Sequence, residues 1–575
     1  MILTSTRGTT PWRPALALCL TLLAGCTGSV DVGGDDDMIE PEDDPTDVLF
    51  DPDRVLEVEI EIDLADWIEL GNQRRNIVEI WGGDCFSEPL TSPYTYFPAT
   101  VTLDGNELGD IGVRKKGLLG SDSSTKPSLK LNLDWADSDV SYLGKDMLTL
   151  NNARQDPTYM DQCLGYGLFA AAGVPASRCN FAHVTVNGDD LGPYVQVESI
   201  RRDFLEDRFG DGSGNHYEGT LSDFRPGWVD TFESKENAED REDLDAVVDA
   251  LAANDDEVMT ALGAVVDLDE FVSFWAVEVL VGHWDGHANA TNNFHIYRDP
   301  ATSRFSFIPW GIDALFDRDH PFGEPNPNSV TANAALAQRL YRHPDGQALY
   351  LARMDELLDS VWDADDLNAE IDRMDGLIRP LLRSGKEQSF DEGSEIIRMF
   401  IEDREANIRA ELDSGPPSWP EGLMEVTCLS PVGELSCTFD TTWNSIFTDD
   451  PYGPAEMEVL WFDEPIPVLE AYSWTGYDPV ETDGRVYVGL PGLIGYPEEY
   501  IYPQLLFPPH LVESGVELPV DWNDVQAYVY HLSPTGEASQ MAYGSEGVLT
   551  LDEAEPVDGA PFSGSVTFTL MGWGG

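Results

Sequence analysis

Lysine is rare in this chain, and most of its lysines lie close together. Only seven lysines occur in 575 residues, and five of them fall within 31 residues. These five, which lie next to Arg114, are Lys115, Lys116, Lys126, Lys130 and Lys145. An ammonium group is a compact point charge that suits phosphate oxygens. The cluster therefore predicts a site for a nucleotide polyphosphate, with the alternative that these lysines only neutralise nearby acids on the surface of a sheet.

Polar and apolar residues alternate over residues 126–133, which read Lys-Pro-Ser-Leu-Lys-Leu-Asn-Leu. A period of two predicts a half-buried strand with Lys126, Ser128, Lys130 and Asn132 on one face. We expect this strand to present its lysines to a cleft.

Two further segments place acids or amides where a helix or strand gives way to a loop. Residues 283–297 contain Asp285 and Asn293, and residues 308–313 end in Asp313. Phosphoryl transfer needs a carboxylate that orients the attacking hydroxyl, and an Asp, often with an Asn, that holds Mg²⁺ or Mn²⁺ against the phosphates. These three residues are candidates for those roles. The alternative for each Asp is a helix cap or a turn.

The elements that must position these residues follow from periodicity and turn signals. Residues 48–150 are mostly strand-like, with a hairpin turn at residues 104–106, and helical periodicity over residues 161–172 stops at Gly173-Val174-Pro175. The strands expected around the candidate residues lie at residues 55–60, 99–103, 181–186, 194–197, 294–297 and 305–308. The expected helical segments lie at residues 244–262, 268–281 and 334–413.

The composition changes after Gly415-Pro416-Pro417. Residues 418–575 are rich in Pro, Gly, Tyr and Val, and Arg485 is their only Lys or Arg. Short strand patterns run through this segment. It is therefore predicted to be a separate β-sandwich-like domain.

The charge of the whole chain excludes one broad class of function. There are 106 acidic and 33 basic side chains, for a formal net charge of -73, while hydrophobic residues make up a globular 42%. A surface this negative repels phosphate backbones, which excludes a general nucleic-acid binder and disfavours adsorption to anionic lipids. It leaves room for a small positive site inside a negative shell.

The N-terminus has the pattern of an export signal. Residues 1–25 contain two Arg, no acid and an apolar run of about a dozen residues, too short to span a bilayer. Leu23-Ala24-Gly25-Cys26 resembles the bacterial lipobox, which predicts that Cys26 is lipidated; an ordinary signal peptide is the alternative. Residues 26–47 are acidic and predict a disordered tether. The expected location is the outer membrane or the cell surface.

The remaining cysteines predict disulfides if the protein is exported. Cys163 and Cys179 bracket a helix-like stretch, and Cys428 and Cys437 bracket a Pro-Val-Gly turn. We predict both pairs. Cys85 is left over and could replace a partner in the first pair.

In their order along the chain, these motifs resemble the CotH kinase family, atypical kinases named after a spore coat protein. The resemblance runs from about residue 103 to residue 316. It is carried by Val113-Arg114-Lys115-Lys116-Gly117, Lys126-Pro127-Ser128-Leu129-Lys130, Leu148-Thr149-Leu150-Asn151-Asn152, Ala172-Gly173-Val174-Pro175, Val186-Asn187-Gly188, Gly192-Pro193-Tyr194-Val195-Gln196-Val197-Glu198, residues 204–219, residues 285–297 and Pro309-Trp310-Gly311-Ile312-Asp313.

The resemblance implies an α+β architecture and a nucleotide site. Residues 48–415 would form an atypical protein-kinase-like fold with a mixed β N-lobe and a helical C-lobe. Lys126 or Lys130 would bind the phosphates of ATP, together with Arg114 and Lys116. Glu198 would pair with that lysine or orient it.

The resemblance also assigns the acidic residues. Asp285 would be the catalytic carboxylate, and Asn293 and Asp313 would bind Mg²⁺ or Mn²⁺. This chain departs from the family pattern at Gly311, where many relatives have Asp, and at residues 117–121, which replace a Gly-Asn-Ser segment.

The function implied is that of a secreted, lipid-anchored atypical protein kinase. It would transfer the γ-phosphoryl group of ATP to Ser or Thr of an envelope or surface protein. The alternative is a catalytically inactive surface binding or adhesion protein with the same fold.

Overall fold

The computed structural model describes residues 44–136, 140–237, 240–317, 327–478 and 482–573. The predicted signal peptide, Cys26 and most of the predicted tether lie outside these residues. No helix within these residues is both long enough and apolar enough to cross a bilayer.

A closed barrel forms the N-terminal part, with its strands in the order β1-β2-β3-β4-β5-β7-β6. The strands are β1 (Val55–Ile62), β2 (Phe97–Leu103), β3 (Asn106–Lys116), β4 (Ser128–Asn132), β5 (Met147–Asn151), β6 (Cys179–Val186) and β7 (Asp189–Val197). Alternation decides which side chains fill the barrel: Leu129 and Leu131 of β4 are fully buried in its core, so Ser128 and Lys130 face outward. The predicted alternation is confirmed over Ser128–Asn132, whereas Lys126 precedes the strand.

A four-stranded antiparallel sheet and a set of helices follow the barrel. The sheet has the order β11-β10-β8-β9, with β8 (Asn215–Gly219), β9 (Glu233–Glu236), β10 (Phe294–Arg298) and β11 (Phe305–Pro309). The helices before and among these strands are α1 (Pro45–Leu49), α2 (Leu64–Asn72), α3 (Ile77–Trp81), α4 (Asp161–Ala171), α5 (Arg202–Phe209), α6 (Glu242–Leu251), α7 (Asp255–Val265), α8 (Leu268–Leu280) and α9 (His287–Ala290). The helices after them are α10 (Ala335–Arg342), α11 (Pro344–Ser360), α12 (Ala364–Ile378) and α13 (Glu387–Asp413).

The predicted helix over residues 244–262 is wrong in one respect, because it is two helices. The break falls between Leu251 and Asp255, and Asn254 is the N-cap residue of α7. Asn at an N-cap, followed by acidic residues in the first turn, favours a new helix start. The two-lobe kinase layout stays a prediction.

The C-terminal region is β-rich, as predicted, but its strands join one sheet instead of two stacked ones. The strands are β12 (Leu429–Thr442), β13 (Gly453–Trp461), β14 (Glu464–Ile466), β15 (Glu470–Tyr477), β16 (Val486–Gly489), β17 (Gly492–Gly495), β18 (Glu499–Phe507), β19 (Val516–Val520), β20 (Gln526–Leu532), β21 (Ala538–Ala554) and β22 (Pro561–Trp573). Pairing runs from β12 through β22, β21, β20, β18, β16 and β15, and β15 also pairs with β13, the other neighbour of β12. Eight strands therefore form a continuous ring around an apolar core.

The structure confirms one predicted disulfide and corrects the other. Cys163 bonds Cys179, but Cys428 bonds Cys85, and Cys437 is free and buried. The predicted Cys428–Cys437 pair is wrong because the segment between them belongs to β12 instead of forming a turn. Nine residues of extended chain separate two Cα atoms by about 30 Å, far beyond the reach of a disulfide.

Candidate functional site

Six of the predicted site residues line one cavity of about 910 Å³. Its walls come from the barrel, the four-stranded sheet, the loops after α8 and β11, and the C-terminal region. The six residues are Arg114, Lys116, Lys130, Asp285, Asn293 and Asp313. Motifs that are up to 199 positions apart in sequence therefore meet at one place.

Strands β3 and β4 hold three of the cations that line this cavity, Arg114, Lys116 and Lys130. Arg114 and Lys130 are direct partners across the antiparallel pair. Like charges in this arrangement repel one another, so the pair is destabilising without a counter-charge. Burial, and then the charges of Arg114 and Lys116, lower the pKa of Lys130 to about 7. Burial and mutual repulsion therefore disfavour the charged form of Lys130 at this place on the barrel.

Lys116 ends β3 and connects the cations to the acidic side of the cavity. Its Nζ donates a hydrogen bond to Asn151 Oδ1 at 2.5 Å and lies 5.4 Å from the centre of the Trp310 ring. Burial lowers the pKa of Lys116 to about 8, and the negative charge of Asp313 opposes that shift.

Asp285 is held by two amides from the loop before β10. Asn293 donates its Nδ2 to Asp285 Oδ2 at 2.7 Å, and Asn292 donates its Nδ2 to Asp285 Oδ1 at 3.2 Å. Asn293 has a φ of +56°, a left-handed conformation that Asn tolerates better than most residues. Burial raises the pKa of Asp285, although the nearby His283 and both amides act in the opposite direction.

Asp313 follows β11 and shares the cavity with Asp285. Burial raises its pKa to about 6; Lys116 opposes the shift, and the charge of Asp285 adds to it. Gly311, two residues earlier, has a φ of +57°, and a Cβ built there would lie 2.5 Å from Asn293 Oδ1. A side chain at this position would therefore displace Asn293.

The donor atoms around Asp313 suit a hard divalent cation. Asp285 and Asp313 supply carboxylate oxygens. Asn293 donates its Nδ2 to Asp285, so its Oδ1 is the atom that could bind a cation. Asn292 Oδ1 is buried and, within the described residues, lacks a hydrogen-bond partner. Oxygen ligands of this kind fit Mg²⁺ or Mn²⁺. No group of three or more His, Cys, Asp or Glu that could hold a metal occurs in the described parts of the chain.

Lys126 is not among the residues that line this cavity. It precedes β4, and its Nζ donates hydrogen bonds to Tyr159 Oη at 2.9 Å and to the carbonyl oxygen of Pro193 at 2.7 Å. Of the two lysines left open by the sequence, Lys130 is therefore the one placed to meet a ligand in the cavity.

The prediction that Glu198 pairs with Lys126 or Lys130 is wrong. Glu198 is fully buried, and its carboxylate lies 3.0 Å from Lys145 Nζ, 2.5 Å from Arg178 Nη2 and 2.9 Å from Arg208 Nη2. Burial alone would raise its pKa, but the hydrogen bond from Arg178 and the three positive charges outweigh burial and lower it to about 2. We call these four residues the Glu198 cluster; none of them lines the cavity.

Sequence reasoning missed an ion pair in the cavity wall. Glu218 of β8 lies 2.7 Å from Lys235 Nζ of β9, and both line the cavity. Burial would raise the pKa of Glu218, but the charges of His295, Lys235 and Lys130 together lower it. Lys235 is one of the two lysines outside the sequence cluster, so only the pairing of β8 with β9 places it here.

Sequence reasoning also missed the contribution of the C-terminal region. Residues 424–427 and Trp573 of β22 line the cavity together with the barrel residues. Trp573 packs against Trp81 at 5.3 Å between ring centres, and Arg225 Nη2 donates to the carbonyl oxygen of Met424 at 2.7 Å. The disulfide between Cys85 and Cys428 lies beside this wall and fixes it to the segment after α3.

The chain matches one family model and several known proteins. The family model described as CotH kinase protein matches residues 113–408, more than half of the chain. Inner spore coat protein H of Bacillus subtilis is 22% identical over 292 residues, which cover 47% of this chain and 80% of that protein. Invasin CotH2 of Rhizopus delemar is 26% identical over 207 residues, which cover 32% of this chain and 35% of that protein.

Among solved structures, the Helicobacter pylori proinflammatory kinase CtkA aligns with this chain. The alignment covers 51% of this chain and 92% of that one, with 11% sequence identity and a TM-score of 0.27. At that TM-score the likeness is too weak to support a statement about the fold.

Proposed function

The chain belongs to the CotH kinase protein family, and from this premise we propose that it is an atypical kinase that transfers the γ-phosphoryl group of ATP. The observation that carries the proposal is the convergence of three cations and three metal- or hydroxyl-binding side chains on one cavity. Phosphoryl transfer depends on that combination of positioning and charge.

Arg114, Lys116 and Lys130 are the proposed phosphate-binding residues. Burial lowers the pKa values of both lysines. Phosphate oxygens bound beside the three cations would reduce their mutual repulsion and raise these pKa values again. A bound anion would thus stabilise the charged forms of these cations.

Asp313 and Asn293 are the proposed ligands of Mg²⁺ or Mn²⁺. The cation would neutralise charge on the phosphate oxygens. A nearby cation also favours the ionised form of Asp313, whose pKa burial otherwise raises to about 6.

Asp285 is the proposed catalytic carboxylate. The hydroxyl oxygen of the acceptor attacks the γ-phosphorus, its proton passes to Asp285, and the bond to ADP breaks. Asn292 and Asn293 orient the carboxylate through their amide hydrogen bonds, and its raised pKa favours proton acceptance.

The acceptor and the location complete the proposal. We propose Ser or Thr of an envelope or surface protein as the acceptor, and the lipobox motif supports an exported, lipid-anchored protein. The two disulfides fit an oxidising compartment.

The test measures phosphate incorporation by the full chain with labelled ATP and Mg²⁺ or Mn²⁺. We expect Asp285→Asn to lower incorporation at least 100-fold while the binding of ATP persists. Asp313→Asn should lower both incorporation and the metal-dependent part of ATP binding. Asp449→Asn, at an exposed carboxylate outside the cavity, is the matched control and should keep full activity.

Two outcomes would contradict the proposal. Equal incorporation by wild type and both cavity variants would remove the assigned roles. Failure of the wild type to bind ATP in the presence of metal would favour the alternative, a binding or adhesion protein that keeps the fold without the chemistry.

A further inference from the structure

An exposed group of aromatic side chains lies on the C-terminal ring, away from the proposed kinase site. We define the aromatic patch as Tyr452, Tyr472, Trp474, Tyr496, Tyr500 and Tyr502. Tyr452 and Tyr496 are 62% and 73% exposed, and the other four are half-buried. None of the six lines the cavity. Exposed apolar groups gathered at one place mark a binding surface more often than scattered ones do.

Four rings of the patch contact one another, and their planes are tilted. Tyr452 lies 5.9 Å from Tyr472 and 5.6 Å from Trp474, and Trp474 lies 5.5 Å from Tyr502, between ring centres. The angles between these ring planes are between 47° and 67°. The patch is therefore a twisted surface, suited to a ligand that turns along its length.

The central ring of the patch is fixed before any ligand binds. Trp474 of β15 is the direct cross-strand partner of Gly489 of β16, and a Cβ at Gly489 would overlap the indole. The indole therefore lies against bare backbone. Tyr502 is held by a different contact, between its hydroxyl group and that of Tyr487. A surface with fixed rings loses little conformational entropy on binding.

Hydrogen-bonding groups surround the rings. Tyr472 donates its hydroxyl to Glu470 Oε2 at 2.5 Å, and this bond raises the pKa of Tyr472, with smaller effects from Tyr500 and Tyr496. Burial raises the pKa of Tyr500, and the negative charge of Glu498 adds to that shift. The rim of the patch thus consists of carboxylates and phenol hydroxyls.

Among the described residues of the C-terminal region, no Lys or Arg with a free charge is available to the patch. Arg485 is the only Lys or Arg from residue 418 to residue 575, and it is buried and bonded to Gln526 and Asp483. A sulfated, phosphorylated or uronic-acid polymer would be repelled by this surface. Anionic ligands are therefore excluded by charge.

We propose that the aromatic patch binds a neutral polysaccharide. A neutral sugar ring presents C–H groups on its faces, which pack against aromatic rings, and hydroxyls at its edge, which bond carboxylates and phenols. The patch supplies both kinds of partner in adjacent positions. The twist of the rings favours a soluble, helically turning chain over a flat crystalline surface.

The test measures binding of the full chain to soluble neutral hexasaccharides by titration calorimetry. The probes are a β-linked and an α-linked glucose hexamer, with polygalacturonate as the anionic comparison. We expect binding of at least one neutral hexamer, about ten-fold weaker binding for Trp474→Ala, and a smaller loss for Tyr452→Ala. Tyr452 is the safer position, because it is largely exposed and its truncation leaves the sheet intact.

A matched control comes from the same region of the molecule. Phe462 is 58% exposed and lies at the far end of β13 from Tyr452, so Phe462→Ala should bind as the wild type does. Three outcomes would overturn the proposal: no binding of either neutral hexamer at millimolar concentration, tighter binding of the anionic polymer, or unchanged binding by both patch variants. A protein partner that uses the patch would give the first of these results.

Discussion

Two clusters of charged side chains adjoin the barrel, and they differ in how well their charges are paired. In the Glu198 cluster one buried carboxylate receives three cations, and its pKa falls to about 2. In the cavity the pKa of Lys130 is lowered and that of Asp313 is raised. In the Glu198 cluster the charged forms are stabilised by the residues of the cluster itself. In the cavity, burial favours the neutral forms of Lys130 and Asp313.

This difference separates a structural cluster from a functional one. Shifted pKa values that only a ligand can relieve are typical of active sites, while saturated ion pairs hold elements together. Residue types alone do not distinguish the two, since both contain Lys, Arg and acids. The predictions below test whether the two clusters respond to change in opposite ways.

The largest effect is expected from Glu198→Gln. This change removes the buried carboxylate that Lys145, Arg178 and Arg208 share and leaves them more exposed partners such as Asp203 and Asp207. We expect the free energy of unfolding to fall by about 3 kcal/mol. Urea denaturation measures the change. Glu206→Gln, which removes an exposed partner of Arg202, should cost less than about 0.5 kcal/mol. Equal costs for both variants would refute the structural assignment.

The stability contributions of Asp313 and Glu198 should depend on pH in opposite directions, and Asp313→Asn tests this. Because the pKa of Asp313 is raised from 3.8 to about 6, the wild type loses stability as the pH rises from about 4 to 7, by roughly 3 kcal/mol. The Asn variant lacks this loss, so its advantage grows with pH. The pKa of Glu198 is lowered instead, and its contribution disappears as the pH falls from about 4.5 toward 2. Urea midpoints at several pH values, with EDTA present, measure both; parallel curves for wild type and Asp313→Asn would contradict the prediction.

Gly311→Ala should disturb the cavity at a smaller cost. The left-handed φ costs a residue with a Cβ about 1 kcal/mol, and the new methyl group would displace Asn293. We expect a loss of about 1–2 kcal/mol in stability and weaker metal-dependent ATP binding. Gly376→Ala, where a Cβ meets nothing within 4 Å in α12, should instead be neutral or slightly stabilising. A Gly311→Ala variant with unchanged stability and binding would show that Asn293 can move freely.

The smallest effect is a change in protonation on ligand binding. The pKa values of Lys130 and Lys116 are about 7 and 8, and a bound triphosphate should raise both, so binding takes up protons near pH 8. The affinity for triphosphate should fall several-fold from pH 7 to pH 9. Calorimetry in two buffers with different ionisation enthalpies measures the uptake, and Lys130→Met should reduce it. An uptake of zero in the wild type would place the triphosphate elsewhere.

Local pattern predicted much of the fold and part of the site. Alternation over residues 126–133 identified β4 and its outward face, and the turn at residues 104–106 identified a hairpin. Six of the predicted site residues also meet in the cavity, because each lies at or near the end of a strand or in an adjoining loop.

The contacts that could not be predicted from local sequence patterns are those between segments distant in the chain. Glu198 reaches Lys145 instead of Lys126 or Lys130 because β5 and β7 are neighbours in the barrel, which no local period reveals. Cys85 and Cys428 are 343 positions apart and meet only through the folded chain. The contribution of Trp573 to the cavity has the same origin.

The disulfide between Cys85 and Cys428 also decides how the molecule carries a mechanical load. Residues 86–427 lie inside the covalent loop that it closes, and these include Lys116, Asp285 and Asp313. A pull between the two ends of the chain passes from Cys85 directly to Cys428. For as long as the bond is oxidised, that force bypasses the segment between the two cysteines, so a pull at the chain ends does not draw Lys116, Asp285 and Asp313 apart.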